Sequence, residues 1–233
     1  MTSGRSSILT STEASAALEN SAWRYLLGSI TTSVDVDSLA QALAVAREAT
    51  AACGENLSDH LRVDLRPDRV ELTLQAPRPG GLTADDIDLS QRITAAVVAM
   101  GLSTTGSTTE AGRRSVQMVE IAIDALDIAA IRPFWRAVMG YGDESAGGGP
   151  LDAVVDPVGQ GPSIWFQQMD APRPQRNRIH LDIAVPHDEA EARVQAALGA
   201  GGFLVSDAAA RAFWVLADVE GNEICVCTWQ DRS

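Results

Sequence analysis

Lysine is absent from these 233 residues, so arginine alone supplies the 18 basic side chains. Without an ε-amine the chain excludes Schiff-base enzymes and the P-loop, whose lysine reaches a nucleotide's phosphates. Positive charge is scarce altogether: 31 acidic residues leave a net charge of −13. A field of that sign argues against duplex nucleic acid and anionic membranes as partners. Cysteine is sparse as well. Cys53, Cys225 and Cys227 include no CxxC pair and make no disulfide framework, which fits a reducing compartment. Long apolar runs are missing: the opening MTSGRSSILTSTEA has no signal-peptide core, and no segment reaches the roughly 20 residues of a membrane span. The expectation is a cytoplasmic protein.

What is present is an ordinary globular composition, 45% hydrophobic, long enough for one large domain or two small ones. The most informative stretch is 177–185, NRIHLDIAV. Alternation places Ile179, Leu181 and Ile183 on one side and Arg178, His180 and Asp182 on the other. A polar strand face in an otherwise apolar half of the chain predicts a wet cavity. Residues 222–228 repeat the arrangement, aiming Glu223, Cys225 and Cys227 one way. An imidazole and a carboxylate offered to one concavity suit a small-molecule site.

In the first half, Thr10 and Glu13 form a capping-box pattern before a short helix at 14–19. Residues 23–36 are β-rich and broken at Gly28. Asp37 is positioned to cap a helix with Leu39, Leu43, Ala46 and Cys53 at helical spacing. Residues 61–65 and 70–74 alternate around the turn Arg66-Pro67-Asp68-Arg69. Thr83 and Asp86 cap a last helix that buries Ile87, Ile93, Val97 and Met100. The order α-β-α-β-β-α predicts an α+β fold, an antiparallel four-stranded sheet with helices on one face.

The run Asp59-His60-Leu61, Val63-Asp64-Leu65-Arg66, Arg69-Val70-Glu71-Leu72-Thr73-Leu74, Gly80-Gly81-Leu82-Thr83 and Asp86-Ile87-Asp88-Leu89 resembles the pterin-4a-carbinolamine dehydratases. The early capping box and Trp23 fit as well, so the resemblance covers nearly all of 8–101. It implies elimination of water from a 4a-hydroxytetrahydropterin. That reaction needs an acid for the leaving hydroxyl and a base for the ring N–H, and histidine suits both. The family pattern has His-His-Pro and a third histidine. Here Asp59 replaces the first, Leu61 the proline, and Pro77 stands at the third. His60 and the structural Asp86 remain, which makes Asp59 and His60 the candidate catalytic pair, set against a scaffold that has lost its chemistry.

Residues 103–112, STTGSTTEAG, carry no apolar period and read as a flexible connector, followed by Arg113 and Arg114. The expected division is 8–101, a linker at 102–115, and 116–230. In the second half, 116–123 alternates as a strand. Asp127 then caps a helix with Ile128, Ile131, Phe134, Trp135 and Val138, closed by Gly140 and either kinked at Pro133 or starting late. Glycine-rich 145–149 precedes strands at 151–155 and 163–168. The pattern then restarts: strand 177–185, a helix at 188–198, and strands at 203–205, 212–216 and 223–228. Two copies of about 55–60 residues make paired βαβββ repeats.

That repeat, with Phe134-Trp135 closing the first helix and Asp218-Val219-Glu220-Gly221-Asn222 before the last strand, resembles the glyoxalase-like vicinal oxygen chelate superfamily. The resemblance implies a curved sheet around a cavity, often with a divalent metal that polarises the substrate's oxygens. Counting back from Phe134-Trp135 puts Glu120 at the first ligand position. His180 falls on the second, and Cys225 stands where a glutamate is usual, with Glu223 two residues earlier. A Glu120/His180/Glu223 set suits Mn, Fe, Ni or Zn. The alternative is a metal-free cup in which these side chains hydrogen-bond an organic ligand. Asp86, Asp182, Trp165 and Trp214 are the expected substrate-binding residues. His187 is expected to be exposed, and Cys225 and Cys227 to be small buried residues rather than soft-metal ligands.

Both resemblances imply self-association, so a homodimer acting on a small-molecule substrate is expected. Three functions fit: a lyase acting on a small oxygenated molecule, a non-catalytic protein that sequesters a metabolite, and a dimeric interaction module. Two enzyme-like pockets in one chain favour the lyase.

Overall fold

The structure is a computed structural model that describes residues 7–54, 57–76, 81–106, 117–144, 148–172 and 179–231. Pro77, most of the expected connector with Arg113 and Arg114, part of the glycine-rich stretch, and Arg178 lie outside the described residues. Two compact units divide between Met118 and Val119.

The first unit opens with α1 (Ser11–Ala17), whose capping box forms as the sequence dictates: Glu13 N–H donates to Thr10 Oγ1, and Thr10 N–H donates to the Glu13 carboxylate. Strands β1 (Arg24–Leu26) and β2 (Ser29–Asp35) form a hairpin through Leu27 and Gly28, at φ 44° and 77°. Both central residues of such a tight turn need positive φ, a strain for leucine and none for glycine. Helix α2 (Leu39–Cys53), strands β3 (Leu61–Leu65) and β4 (Arg69–Leu74), and helix α3 (Ala84–Ala99) follow.

Alternate strand residues Ile30, Val34, Val70, Leu72 and Leu74 are fully buried with Ala42, Val45 and Ala49 of α2 and Leu89, Ile93 and Val97 of α3. The helices therefore cover one sheet face, and each buried Leu or Ile contributes about 1.5–3 kcal/mol.

Two expectations change here. The sheet has five strands, not four: Thr104–Thr105, at the start of the expected connector, forms β5 and pairs with Ser33 and Val34 beside β1. Helix α2 is capped by Ser38, whose Oγ accepts from Gln41 N–H, while Asp37 N–H is taken by the Gln41 side chain. Its buried face then runs Ala42, Val45, Ala49, Cys53, and Leu39 and Leu43 remain half exposed.

The second unit builds the same motif twice. The first copy is β6 (Glu120–Ala125), α4 (Ile128–Met139), β7 (Gly142–Asp143), β8 (Val154–Val155) and β9 (Ser163–Gln168). The second is β10 (Asp182–Ala184), α5 (Ala190–Gly199), β11 (Phe203–Ser206), β12 (Phe213–Ala217) and β13 (Glu223–Cys227). Each copy forms a four-stranded sheet in which the first strand lies parallel to the last, in the orders β6-β9-β8-β7 and β10-β13-β12-β11.

Asp127 accepts from Ala130 N–H to start α4, the helix runs through Pro133, and Gly140 at φ 70° ends it. Ile131, Phe134, Trp135 and Val138 pack inward with Ala190, Val194 and Ala197 of α5. Arg132 is buried beside them, its guanidinium donating to Asp143 and to the Asp152 carbonyl.

Strand bounds differ most from expectation in three places. The first strand spans 120–125 rather than 116–123, and of 151–155 only Val154 and Val155 pair, Leu151 lying exposed in a turn. Of the strand expected over 177–185, the described part pairs from Asp182 to Ala184, opposite Cys225–Cys227 of β13. Ile179 accordingly falls beyond the ladder and is 79% exposed rather than core.

Candidate functional site

In the first unit the chemistry gathers where β3 begins. A turn closed by His60 N–H donating to the Leu57 carbonyl delivers His60 to the strand, and Gln75 N–H donates back to the His60 carbonyl. The imidazole Nδ1 lies 2.6 Å from Asp86 Oδ1 at the start of α3. Asp86 is fully buried, and its other oxygen accepts from both Thr83 N–H and Thr83 Oγ–H at 2.7 Å. Opposite an ionised carboxylate, which only accepts, Nδ1 is the donor, and in the neutral ring Nε2 then holds the lone pair. No other group among the described residues bonds the ring, whose side chain is 15% exposed. One residue thus caps a helix and fixes a histidine's tautomer.

This arrangement revises two expectations. Asp59 is exposed in the turn, and Asp86 rather than Asp59 is the carboxylate that orients His60. Asp86 also cannot bind substrate directly, since it is wholly buried with both oxygens engaged. The signal for this pairing was already in the sequence: a capping-box carboxylate satisfies the helix start with one oxygen and keeps a second for another donor.

In the second unit, Ile183, Trp214, Leu216, Ile224 and Val226 pack toward α5. Strand alternation therefore turns Asp182, Glu223, Cys225 and Cys227 to the opposite face. A shallow groove at the strand ends is lined by Ile179, His180, Leu181, Gly221, Glu223 and Cys225, among others. His180 and Glu223, brought from different strands, share it. Burial pushes the Cys225 thiol up to about 11, helped by the carboxylate and hydrogen bond of Asp182. The thiol stays protonated at neutral pH and is no nucleophile.

The remaining candidates divide. Glu120 is exposed and accepts from Ser163 Oγ–H at 3.0 Å, away from the residues that line the groove. Among the described residues no three His, Cys, Asp or Glu side chains converge to hold a metal ion, so Glu120, His180 and Glu223 do not form a ligand set. Trp165 lies on the face turned away from α4 and is 38% exposed. Trp214 pairs with Val226 and packs on the core side, which removes it from the substrate-binding group. His187 is exposed, with the Trp229 indole N–H donating to its Nδ1 at 3.3 Å.

The turn before β13 has a structural role that spacing alone does not show. Asp218 is buried and accepts from Trp135 Nε1–H, from Asn222 Nδ2–H, and from the backbone N–H of Glu220 and Asn222. The Glu220 carboxylate in turn accepts from the Leu126 and Asp127 N–H groups ahead of α4. The two repeats are clasped by this turn. No described helix is long and apolar enough to cross a membrane.

Comparison with known proteins gives two family matches. The family model for pterin 4 alpha carbinolamine dehydratase matches residues 7–96, and that for the glyoxalase-like domain matches residues 120–227. No curated protein matches the chain. Among solved structures, a glyoxalase/bleomycin resistance protein/dioxygenase family enzyme from Burkholderia phytofirmans PsJN is 18% identical, with a TM-score of 0.40 over 48% of this chain and 98% of that one. A transcriptional coactivator/pterin dehydratase from Brucella melitensis is 25% identical, with a TM-score of 0.36 over 39% of this chain and 98% of its own. A glyoxalase-related enzyme from Fulvimarina pelagi is 16% identical, with a TM-score of 0.39 over 48% and 88%.

Proposed function

The chain is a fusion of a pterin-4a-carbinolamine dehydratase-like domain with a glyoxalase-like domain, and on that premise we propose that it is a lyase removing water from a small oxygenated, pterin-like metabolite. The observation that carries this reading is the 2.6 Å contact between His60 Nδ1 and the buried Asp86. In a dehydration the carbon–oxygen bond to the hydroxyl breaks, the hydroxyl leaves as water with an added proton, and the neighbouring ring nitrogen loses its proton. With Nδ1–H committed to Asp86, His60 Nε2 accepts that ring proton. Once protonated, the imidazolium is held by the carboxylate and returns its proton to the departing hydroxyl. The exposed Asp59, next in the chain, adds a second carboxylate near the turn. The domains proposed to divide this work are 8–101 and 116–230, with 102–115 joining them, in a cytoplasmic homodimer.

The test is the rate of water loss from a 4a-hydroxytetrahydropterin, followed by absorbance, with the full chain and with His60→Ala. A rate above background that His60→Ala abolishes supports the proposal. Equal rates for the two proteins overturn it.

A second reading, favoured by the groove that His180 and Glu223 share, is that the glyoxalase-like unit binds a small organic molecule without converting it. The expected metal donors do not converge, so no step is assigned to a bound metal.

A further inference from the structure

The first unit uses one capping arrangement twice, to different ends. At α1 a single Glu13 oxygen accepts from Thr10 N–H and Thr10 Oγ–H, and the pair is exposed. At α3 a single Asp86 oxygen accepts from Thr83 N–H and Thr83 Oγ–H, but here the pair is buried, Thr83 to 5% exposure and Asp86 fully. The second Asp86 oxygen holds His60 Nδ1. An exposed cap serves its helix alone, whereas this one also sets what its free oxygen faces.

A carboxylate turns about its Cβ–Cγ bond in a broad, two-fold well, so on its own Asp86 would aim its oxygens loosely. Two donors from one residue on Oδ2 fix that rotation and hold Oδ1 toward the imidazole. Hydrogen bonds to a charged acceptor are roughly twice as strong as neutral ones, and burial strengthens them further. The backbone of Thr83 is itself held. Ile8 pairs with Thr83 as a β-bridge, Leu9 N–H donates to the Leu82 carbonyl at 2.8 Å, and Ala76 N–H donates to the Gly81 carbonyl at 2.9 Å. Gly81, at φ 128°, leaves the room that Ile8 fills, since a Cβ there would lie 3.1 Å from Ile8 Cγ2. We infer that Thr83 is a positioning residue for His60: its hydroxyl, acting through Asp86, aims the imidazole and maintains the Nδ1–H tautomer, while the paired segment Ile8–Leu9 keeps Thr83 in place. This rests on the reading of His60 as the proton carrier, and it adds a buried residue that acts only through Asp86.

Nitrogen NMR of the imidazoles in the full chain tests this separately from activity. With three histidines in the chain, labelled histidine gives few signals, and His60→Ala assigns the relevant pair. At about pH 9 a neutral ring reports which of its nitrogens carries the proton. The natural chain and Thr83→Ser should show His60 in the Nδ1–H form. In Thr83→Val and Thr83→Gly, which lack the hydroxyl, the two nitrogen signals should draw toward each other as tautomers mix. Glycine is itself a good N-cap, so Thr83→Gly keeps the start of α3 should Thr83→Val fail to fold. In dehydration of a 4a-hydroxytetrahydropterin, the turnover number should fall about tenfold in both hydroxyl-free variants with KM unchanged, and recover in Thr83→Ser. Ser38→Ala, which removes the side-chain cap of α2, should leave the spectrum and the turnover as they are. Near-ultraviolet circular dichroism verifies that each variant is folded. His60 signals that stay in place in the hydroxyl-free variants, or that move equally in Ser38→Ala, overturn the inference. A natural chain that does not accelerate dehydration removes the dehydratase reading instead, and the His60 signals then decide the role of Thr83 by themselves.

Discussion

Trp135 and Asp218, 83 residues apart in the chain, are joined by an indole N–H that donates to a buried carboxylate oxygen 2.9 Å away. The indole closes the first repeat's helix and the carboxylate opens the second repeat's last turn. Neither repeat therefore completes its core alone, which explains why these two short motifs occur together.

Replacing Asp218 with Ala removes the acceptor for that indole and for three further donors at the same turn. Leaving several buried donors unmatched costs about 2–4 kcal/mol. Urea unfolding of the second unit's transition should show that loss, with Trp135→Phe costing less because the turn's own bonds survive.

Cys225 makes stability depend on alkaline pH. Its thiol rises from the ordinary 9.0 to about 11 through burial first and then Asp182. The folded state holds this proton more tightly than the unfolded chain. The resulting stabilisation is present in full below the ordinary value and is lost as pH climbs from 9.0 toward about 11. Denaturation midpoints measured at pH 8 and pH 10.5 should fall more steeply for the natural chain than for Cys225→Ala. Iodoacetamide at pH 8 should label this thiol only after unfolding.

Asp86→Asn tests whether the tautomer of His60 matters. The asparagine oxygen still accepts from Thr83, so α3 keeps its start, but its amide donates to Nδ1 and drives the ring proton to Nε2. A base that needs a lone pair at Nε2 is thereby disabled. The turnover number should fall by about 100-fold or more with little change in KM. A loss confined to KM would assign Asp86 to binding instead.

Much of the architecture was legible because periodicity reports local structure. The β3–β4 hairpin, the capping boxes at Thr10 and Thr83, and the doubled strand–helix–strands order all follow from spacings of a few residues. What escaped depends on distant partners. Two residues, Thr104 and Thr105, are too few to show a period and become a strand only because β2 has room beside β1. Leu39 and Leu43 have helical spacing, yet Ala42, Val45 and Ala49 face the sheet, since small side chains let the helix approach closely. Trp214 alternates correctly with its neighbours, but which side of the sheet it occupies is set by pairing with Val226. His60 is identifiable by its type, whereas its carboxylate partner lies 26 residues away, out of reach of any local pattern such as the adjacent Asp59.

The account stands or falls on His60 as the proton carrier. The most direct measurement is single-turnover dehydration of a 4a-hydroxytetrahydropterin by the full chain, compared with His60→Ala. The prediction is acceleration over the uncatalysed loss of water by the natural chain and none by the variant. Water loss at the same rate with both proteins, or at the background rate with the natural chain, would contradict it.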